Sequence, residues 1–177
     1  MGRPNALRGA ALSALPVDGR RDHRARRNCR ILDIGGSVDY WLDLESLWSG
    51  RKLSFTLVNL EPQPAGDKRF DCLQGNCRDL SQFADQSFDI VHSNSVIEHV
   101  GRWKDMKAMA GEVARLAPPF FVAKLRRLPE GADDRRRARF IEDSILLDAK
   151  RFMSLFPGGR LQRERLLGLT KSIIAVR

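Results

Sequence analysis

The sequence predicts an α/β protein built on a doubly wound, mostly parallel sheet that closes with an antiparallel pair of strands. Three observations carry this expectation. Apolar runs of strand length alternate with runs of helical spacing, and that alternation buries both faces of a parallel sheet. The first strand-like run, Arg30-Ile31-Leu32-Asp33-Ile34, ends on Gly35-Gly36, a turn through which a strand can feed a helix. The last two runs, residues 161–167 and 172–176, are joined by a short link around Gly168, which suits adjacent antiparallel strands.

Each element has local grounds. Beyond Gly36, apolar residues at Tyr40, Trp41, Leu44, Leu47 and Trp48 follow helical spacing and predict one helix over residues 38–48. Residues 53–60 read as a second strand, closed by Pro62 and Pro64. Residues 69–73 form a weaker third strand, followed by a short helix over 79–83. Residues 87–92 are the fourth strand and run into Ser93-Asn94-Ser95, residue types that cap helices. Residues 96–116 are helical with a break near Gly101. Pro118 and Pro119 stop that helix, and residues 120–122 are the fifth strand. Asp133 and Asp134 suit a helix N-terminus. Ile141, Ile145, Ala149, Phe152 and Phe156 continue that helix to Pro157-Gly158-Gly159.

Composition narrows the function classes. The chain has 177 residues, 31 Lys and Arg against 22 Asp and Glu, and a net charge of +9. That length suits one domain with a short tail. No stretch approaches the roughly 18 apolar residues of a membrane span, so no membrane partner is expected. The positive charge is concentrated. Residues 1–30 hold eight arginines against two aspartates, and residues 124–139 hold seven cations against three acids. The body between and beyond is near neutral. Residues 1–27 therefore read as a basic, flexible tail, and 28–177 as the folded domain. Arginine runs bind phosphate without sequence preference. Residues 1–30 contain no Phe, Tyr or Trp for stacking on bases, so a nucleic-acid partner is not favoured. Cys29, Cys72 and Cys77 make no C-x-x-C and read as thiols of a reducing compartment. A cytoplasmic location is expected, and no metal site.

In a parallel sheet, ligands bind outside the carboxyl ends of the strands, near the switch in strand order. Chemistry-bearing residues should therefore follow strands. After the first strand comes Asp33-Ile34-Gly35-Gly36-Ser37. Glycines there let a ligand approach the backbone, and a helix start favours an anion. The dinucleotide fingerprint G-x-G-x-x-G fails, because Ser37 and Tyr40 occupy its second and third glycine positions. An acid beside a glycine turn suits a ligand carrying an ammonium group. Asn59 and Glu61 close the second strand, where ribose hydroxyls find acceptors. Gly75-Asn76-Cys77 follows the third strand; a polar side chain there can bond an adenine amino group, and Cys77 offers a backbone amide. Ser93, Asn94 and His99 follow the fourth. His99 is a candidate general base or a local structural residue.

The order ILDIGG, LVNLEP, QGNCRDL and SFDIVHSNSVIEHV resembles the class I S-adenosylmethionine-dependent methyltransferases, in their small-molecule branch. The resemblance covers about residues 28–122 and 141–177. It implies a Rossmann-like sheet of seven strands with the last antiparallel. It also implies S-adenosylmethionine as cofactor, S-adenosylhomocysteine as product, and methyl transfer to a small-molecule acceptor. By position, Asp33, Gly35, Gly36 and Ser37 would hold the methionine end, and Asn59 or Glu61 the ribose. Asn76 and Cys77 would meet the adenine, and Ser93 and Asn94 would floor the site near the methyl group. The chain departs from the family pattern in three places. Ser37 and Asp39 stand where further glycines are common, and Asn76 stands where the family has an acid. An Arg-rich connection over residues 123–140 replaces a longer segment over the substrate side. That last departure raises an alternative: a catalytically degenerate methyltransferase fold acting as a binding module.

Overall fold

The computed structural model describes residues 28–62, 64–116, 121–126, 147–166 and 169–176. The basic tail, most of the Arg-rich connection and residues 133–146 of the helix expected from Asp133 to Phe156 lie outside the described residues. Within them that helix starts only at Ala149, because extended Asp148 caps it by accepting from Arg151 N–H.

In chain order the elements are β1 (Cys29–Ile34), α1 (Val38–Leu42), α2 (Glu45–Trp48), β2 (Leu53–Asn59), β3 (Phe70–Gln74), β4 (Ile90–Asn94), a 3₁₀ turn (Ile97–His99), α3 (Trp103–Leu116), β5 (Phe121–Arg126), α4 (Ala149–Leu155), β6 (Arg160–Leu166) and β7 (Leu169–Val176). The seven strands form one sheet in the order β3-β2-β1-β4-β5-β7-β6. The first five strands are mutually parallel. β7 runs antiparallel to both β5 and β6, as expected for the last strand. The chain steps outward from β1 to β3, then returns to place β4 on the other side of β1. The switch in strand order therefore lies between β1 and β4, where a crevice opens at the carboxyl ends.

Strand residues alternate between two cores because successive side chains point to opposite faces. On one face, Leu32, Ile34 and Val91 pack with Met106, Met109, Val113 and Leu116 of α3 and Phe152 of α4. The α3 positions recur at helical spacing, so one stripe of that helix is buried. On the other face, Ile31, Phe55 and Ile90 pack with Trp41 and Trp48. Trp48 meets Phe55 edge-on at 5.0 Å, and Phe55 stacks on Phe70 at 4.9 Å.

Local departures from the expected elements have identifiable causes. The single helix expected over 38–48 is two short ones, broken at Asp43-Leu44, where the Trp41 carbonyl accepts from the Leu44 N–H at 3.1 Å and from the Trp48 indole at 2.9 Å. No helix forms over 79–83. Its backbone groups bond to α3 instead: Leu80 N–H donates to Glu112 Oε2 at 2.9 Å, and Arg115 donates to the carbonyls of Leu80 and Phe83. β4 begins at Ile90, three residues later than expected, and runs through Ser93 and Asn94. Ser95 then takes a left-handed φ of 59°, uncommon for a residue with a Cβ. It turns the chain into the 3₁₀ turn that carries His99.

Arg69 ties the start of β3 to α2. Its guanidinium bonds Asp67 and Glu45 and lies 4.8 Å over the Trp48 ring. Hydrogen bonds from Arg69 hold the Asp67 carboxyl down to about 2. A depressed carboxyl pKa gives stability that is complete above its unfolded value of about 3.9 and is lost as pH falls through the folded value. Between pH 4 and 2 the native chain is therefore expected to lose stability through this group. In Arg69→Ala that part of a pH series of urea unfolding curves should flatten; an unchanged slope would remove the assignment.

Candidate functional site

The crevice at the strand switch holds a cavity of about 520 Å³, within the usual size range of small-ligand sites. Six residues singled out from the sequence line it: Gly35, Asn59, Glu61, Asn76, Cys77 and His99. Ile34, Val58, Val96 and Val100 supply apolar walls, and Arg78 adds a cation. A smaller space of about 230 Å³ adjoins it around Gly36, Ser37 and Cys72, and shares Gly35, Asn59 and Glu61. Together they make one cleft running across the ends of β1, β2 and β3.

The glycine turn shapes the cleft's middle. Gly35 has φ +75°, and a Cβ on it would lie 2.4 Å from Val96 Cγ2. A side chain there would both strain the backbone and fill the cavity wall. Its N–H donates to the Val58 carbonyl at 2.9 Å, pinning the turn to β2. Ser37 caps α1 by accepting from Tyr40 N–H at 3.2 Å. α1 has only five residues, so its dipole is small, and the anion-binding helix start expected there is weak.

Asp33 does not line the cleft. It is buried beneath the turn, 1% exposed, and both of its carboxylate oxygens have protein partners. Oδ2 accepts from the Trp41 indole N–H at 2.8 Å, and Oδ1 lies 2.8 Å from His92 Nδ1. The cause is strand register. Asp33 and His92 are direct neighbours on β1 and β4, so alternation sends both to the face that holds Trp41. The His92 ring stacks on Tyr40 at 5.6 Å and meets Trp41 at 5.2 Å. A Cβ on Gly36 would lie 1.9 Å from Asp33 Oδ2, so the turn rests directly on this carboxylate. Contact between Asp33 and a ligand's ammonium group is thus replaced by support of the turn from below.

The polar atoms of the cleft differ in what they have left to offer. Asn59 donates its amide N–H to the Gly36 carbonyl at 2.9 Å, which leaves Oδ1 as an acceptor. Glu61 is exposed at the rim. Burial pushes the Cys77 thiol pKa up, so its protonated side chain serves as a half-buried, weakly polar wall. Ser93 is buried, paired in register with Ile34, and Asn94 accepts from Ser95 Oγ at 3.3 Å. These two sit at the end of β4 and outside the lining of either cavity. His99 reaches the lining from its 3₁₀ turn and is exposed there.

Sequence reasoning missed Trp41, His92 and Arg78. Period-2 parity puts Asp33 with Ile31 and His92 with Ile90 on apolar faces, but the register that joins the two strands and the helix that brings Trp41 over them exist only in the fold. Arg78 was signalled by its place two residues beyond an asparagine, where side-chain turns form.

The methyltransferase-domain family matches residues 45–119, a span that holds Asn59, Glu61, Asn76, Cys77 and His99. No match is found among curated proteins. Among solved structures, the chain is similar to a chain of the complex between the Haloferax volcanii Trm112 methyltransferase activator and a methyltransferase. The TM-score is 0.62 and identity 14%, over 86% of this chain and 84% of that one. It is similar to an O-methyltransferase family protein from Burkholderia thailandensis, with TM-score 0.60 and 12% identity, over 88% of this chain and 52% of that one. It is also similar to a mitomycin 7-O-methyltransferase, with TM-score 0.60 and 16% identity, over 96% and 52% respectively. Relative to the latter two, this chain spans about half the length.

Proposed function

We propose that this chain, which carries a methyltransferase domain in the class I S-adenosylmethionine-dependent fold, transfers a methyl group from S-adenosylmethionine to a small-molecule acceptor. The observation that carries the proposal is the cleft at the strand switch, which gathers five residues that the sequence singled out for that cofactor, Gly35, Asn59, Glu61, Asn76 and Cys77, and the candidate base His99. The residues present fit it. The absence of a side chain at Gly35 leaves room for a methionine backbone beside Val96, and Gly36 lets the turn sit low on Asp33. Asn59 Oδ1 and the Glu61 carboxylate are acceptors suited to ribose hydroxyls. The Cys77 backbone amide stands at the base end of the cleft. Ser93 and Asn94 give a polar end to β4, outside the lining of either cavity.

When bound, the sulfonium supplies an electrophilic methyl carbon whose leaving group is a neutral thioether. The chain's own contribution is to hold that carbon in line with an O, N or C nucleophile. Positioning of two reactants can be worth effective molarities of about 10⁵ M or more. His99, exposed on the cleft wall, is placed to take a proton from an acceptor that must lose one. The described cysteines are free thiols, which suits the cytoplasm. No helix among the described residues is long and apolar enough to cross a membrane.

The test is calorimetric titration of the full chain with S-adenosylhomocysteine. Micromolar affinity is expected, with a matching rise in melting temperature. Absence of both heat and thermal shift would remove the cofactor from the proposal. A second reading has one observation in its favour: this chain covers only about half of the O-methyltransferases it resembles. A cofactor-binding module without turnover would bind S-adenosylhomocysteine and yet leave radiolabelled methyl groups untransferred across a broad panel of small-molecule acceptors.

A further inference from the structure

We propose that Asn76 reads the base of the bound nucleoside as a hydrogen-bond donor, through its amide nitrogen to a ring nitrogen of adenine. It does not serve as the acceptor for the exocyclic amino group. The inference rests on the cofactor reading above and refines it at one position. The sequence suggested that a polar side chain here bonds the amino group; the hydrogen bonds around Asn76 argue otherwise.

Asn76 Oδ1 accepts two bonds from one neighbour: Arg78 N–H at 3.1 Å and Arg78 Nε–H at 3.1 Å. A carbonyl oxygen has two lone pairs, and both are engaged. The two donors also settle which end of the amide is which. Rotating it by half a turn would set an NH₂ group against two N–H groups. The backbone carbonyl of Asn76 is engaged as well, accepting from Asp79 N–H at 2.9 Å. Arg78 is held in place from its far side, with Nη1 3.4 Å from Asp105 Oδ1 on α3. Asp105 is in turn fixed by Arg102 N–H at 2.9 Å. Among the described residues, the Asn76 side chain has one polar atom left, Nδ2, and that atom can only donate.

The consequence is a cleft polarised along its length. Its ribose end presents acceptors, Asn59 Oδ1 and Glu61. Its base end presents donors, Asn76 Nδ2, the Cys77 amide and Arg78, whose guanidinium has no acceptor. Adenine offers ring nitrogens that only accept and one exocyclic amino group that only donates. A donor wall complements the ring nitrogens and has nothing to give the amino group. An aspartate at position 76 would behave differently. One oxygen would keep both Arg78 bonds, and the other would face the base as an acceptor.

The test is titration of the full chain with S-adenosylhomocysteine, with its analogue lacking the 6-amino group, and with its 1-, 3- and 7-deaza analogues. For the unaltered chain, losing the amino group is expected to change Kd by less than about threefold, whereas one deaza analogue binds about tenfold more weakly, the scale of one hydrogen bond. Asn76→Ala should abolish that deaza penalty. Asn76→Asp, which keeps the Arg78 bonds, should make the amino-lacking analogue about tenfold weaker than S-adenosylhomocysteine. A tenfold loss on removing the amino group from the unaltered chain's ligand overturns the proposal. So does a set of deaza penalties that is the same in Asn76→Ala as in the unaltered chain; a penalty at a nitrogen held by the Cys77 amide or Arg78 is expected to survive, and the one at the nitrogen held by Asn76 is not. In those two outcomes S-adenosylhomocysteine still binds and the cofactor reading stands. Failure of S-adenosylhomocysteine itself to bind overturns both.

Discussion

Replacing Asp33 by alanine is expected to lower unfolding free energy by about 3–5 kcal/mol, the usual cost of removing one partner from a buried pair. The variant strands the Trp41 indole N–H and His92 Nδ1, both buried and both bonded to the missing carboxylate. Neither can reach water without opening the core against Phe55, 4.6 Å from Trp41. Asp33→Asn is the informative companion. An indole N–H can only donate, so the asparagine oxygen must face Trp41 and its NH₂ must face His92. A neutral imidazole can present Nδ1 as an acceptor by changing tautomer. Asparagine is therefore expected to retain most of the stability that alanine loses. Urea unfolding of both variants checks this; equal losses would mean that the network needs an acceptor or a negative charge toward both Trp41 and His92. Because Gly36 rests on the carboxylate, S-adenosylhomocysteine affinity should fall about tenfold or more in Asp33→Ala.

Gly36→Ala is expected to act on binding more than on folding. The new methyl would lie 1.9 Å from Asp33 Oδ2 and 2.2 Å from its Cγ, and the carboxylate cannot swing away while Trp41 and His92 hold it. The turn must rise into the cleft instead. A displacement near 1 Å at a binding site can cost about 100-fold, and that is the expected loss of S-adenosylhomocysteine affinity by calorimetry. Overpacking costs about 1–3 kcal/mol of stability. The double variant Asp33→Ala/Gly36→Ala removes the collision. Its stability loss should fall short of the sum of the single losses, since contacting sites couple by about 0.5–3 kcal/mol. Strict additivity would mean that the two residues do not press on each other.

Much of the architecture was legible in the sequence because local signals and tertiary demands agree. Ile31, Leu32 and Ile34 before two glycines can hardly form anything but a buried strand and a tight turn, and the hairpin of β6 and β7 announced itself at Gly168. Where the reading failed, distant partners replaced local ones. Residues 79–83 have helical composition, yet Glu112 and Arg115, more than 30 residues away, take their backbone groups. The site shows the same division. That Asn59, Glu61, Asn76, Cys77 and His99 would line one cleft was legible from their place after strands. Which oxygen or nitrogen of each remains available was not, because that depends on a neighbour such as Arg78 whose bonds exist only in the folded chain. Asp33 was misplaced for a related reason. An acid at a strand end looks solvent-facing until the register with His92 is known.

Trp41 gives this protein a built-in optical gauge. The chain has three tryptophans: Trp103 is exposed, Trp48 is buried and bonded to the Trp41 carbonyl, and Trp41 bonds the carboxylate under the glycine turn. Emission of Trp41 depends on the charge and distance of that carboxylate. Any ligand that presses on Gly36 should therefore alter its colour and lifetime, so occupancy of the cleft can be followed by light, without label or acceptor, in a chain whose Trp48 and Trp103 are replaced by phenylalanine.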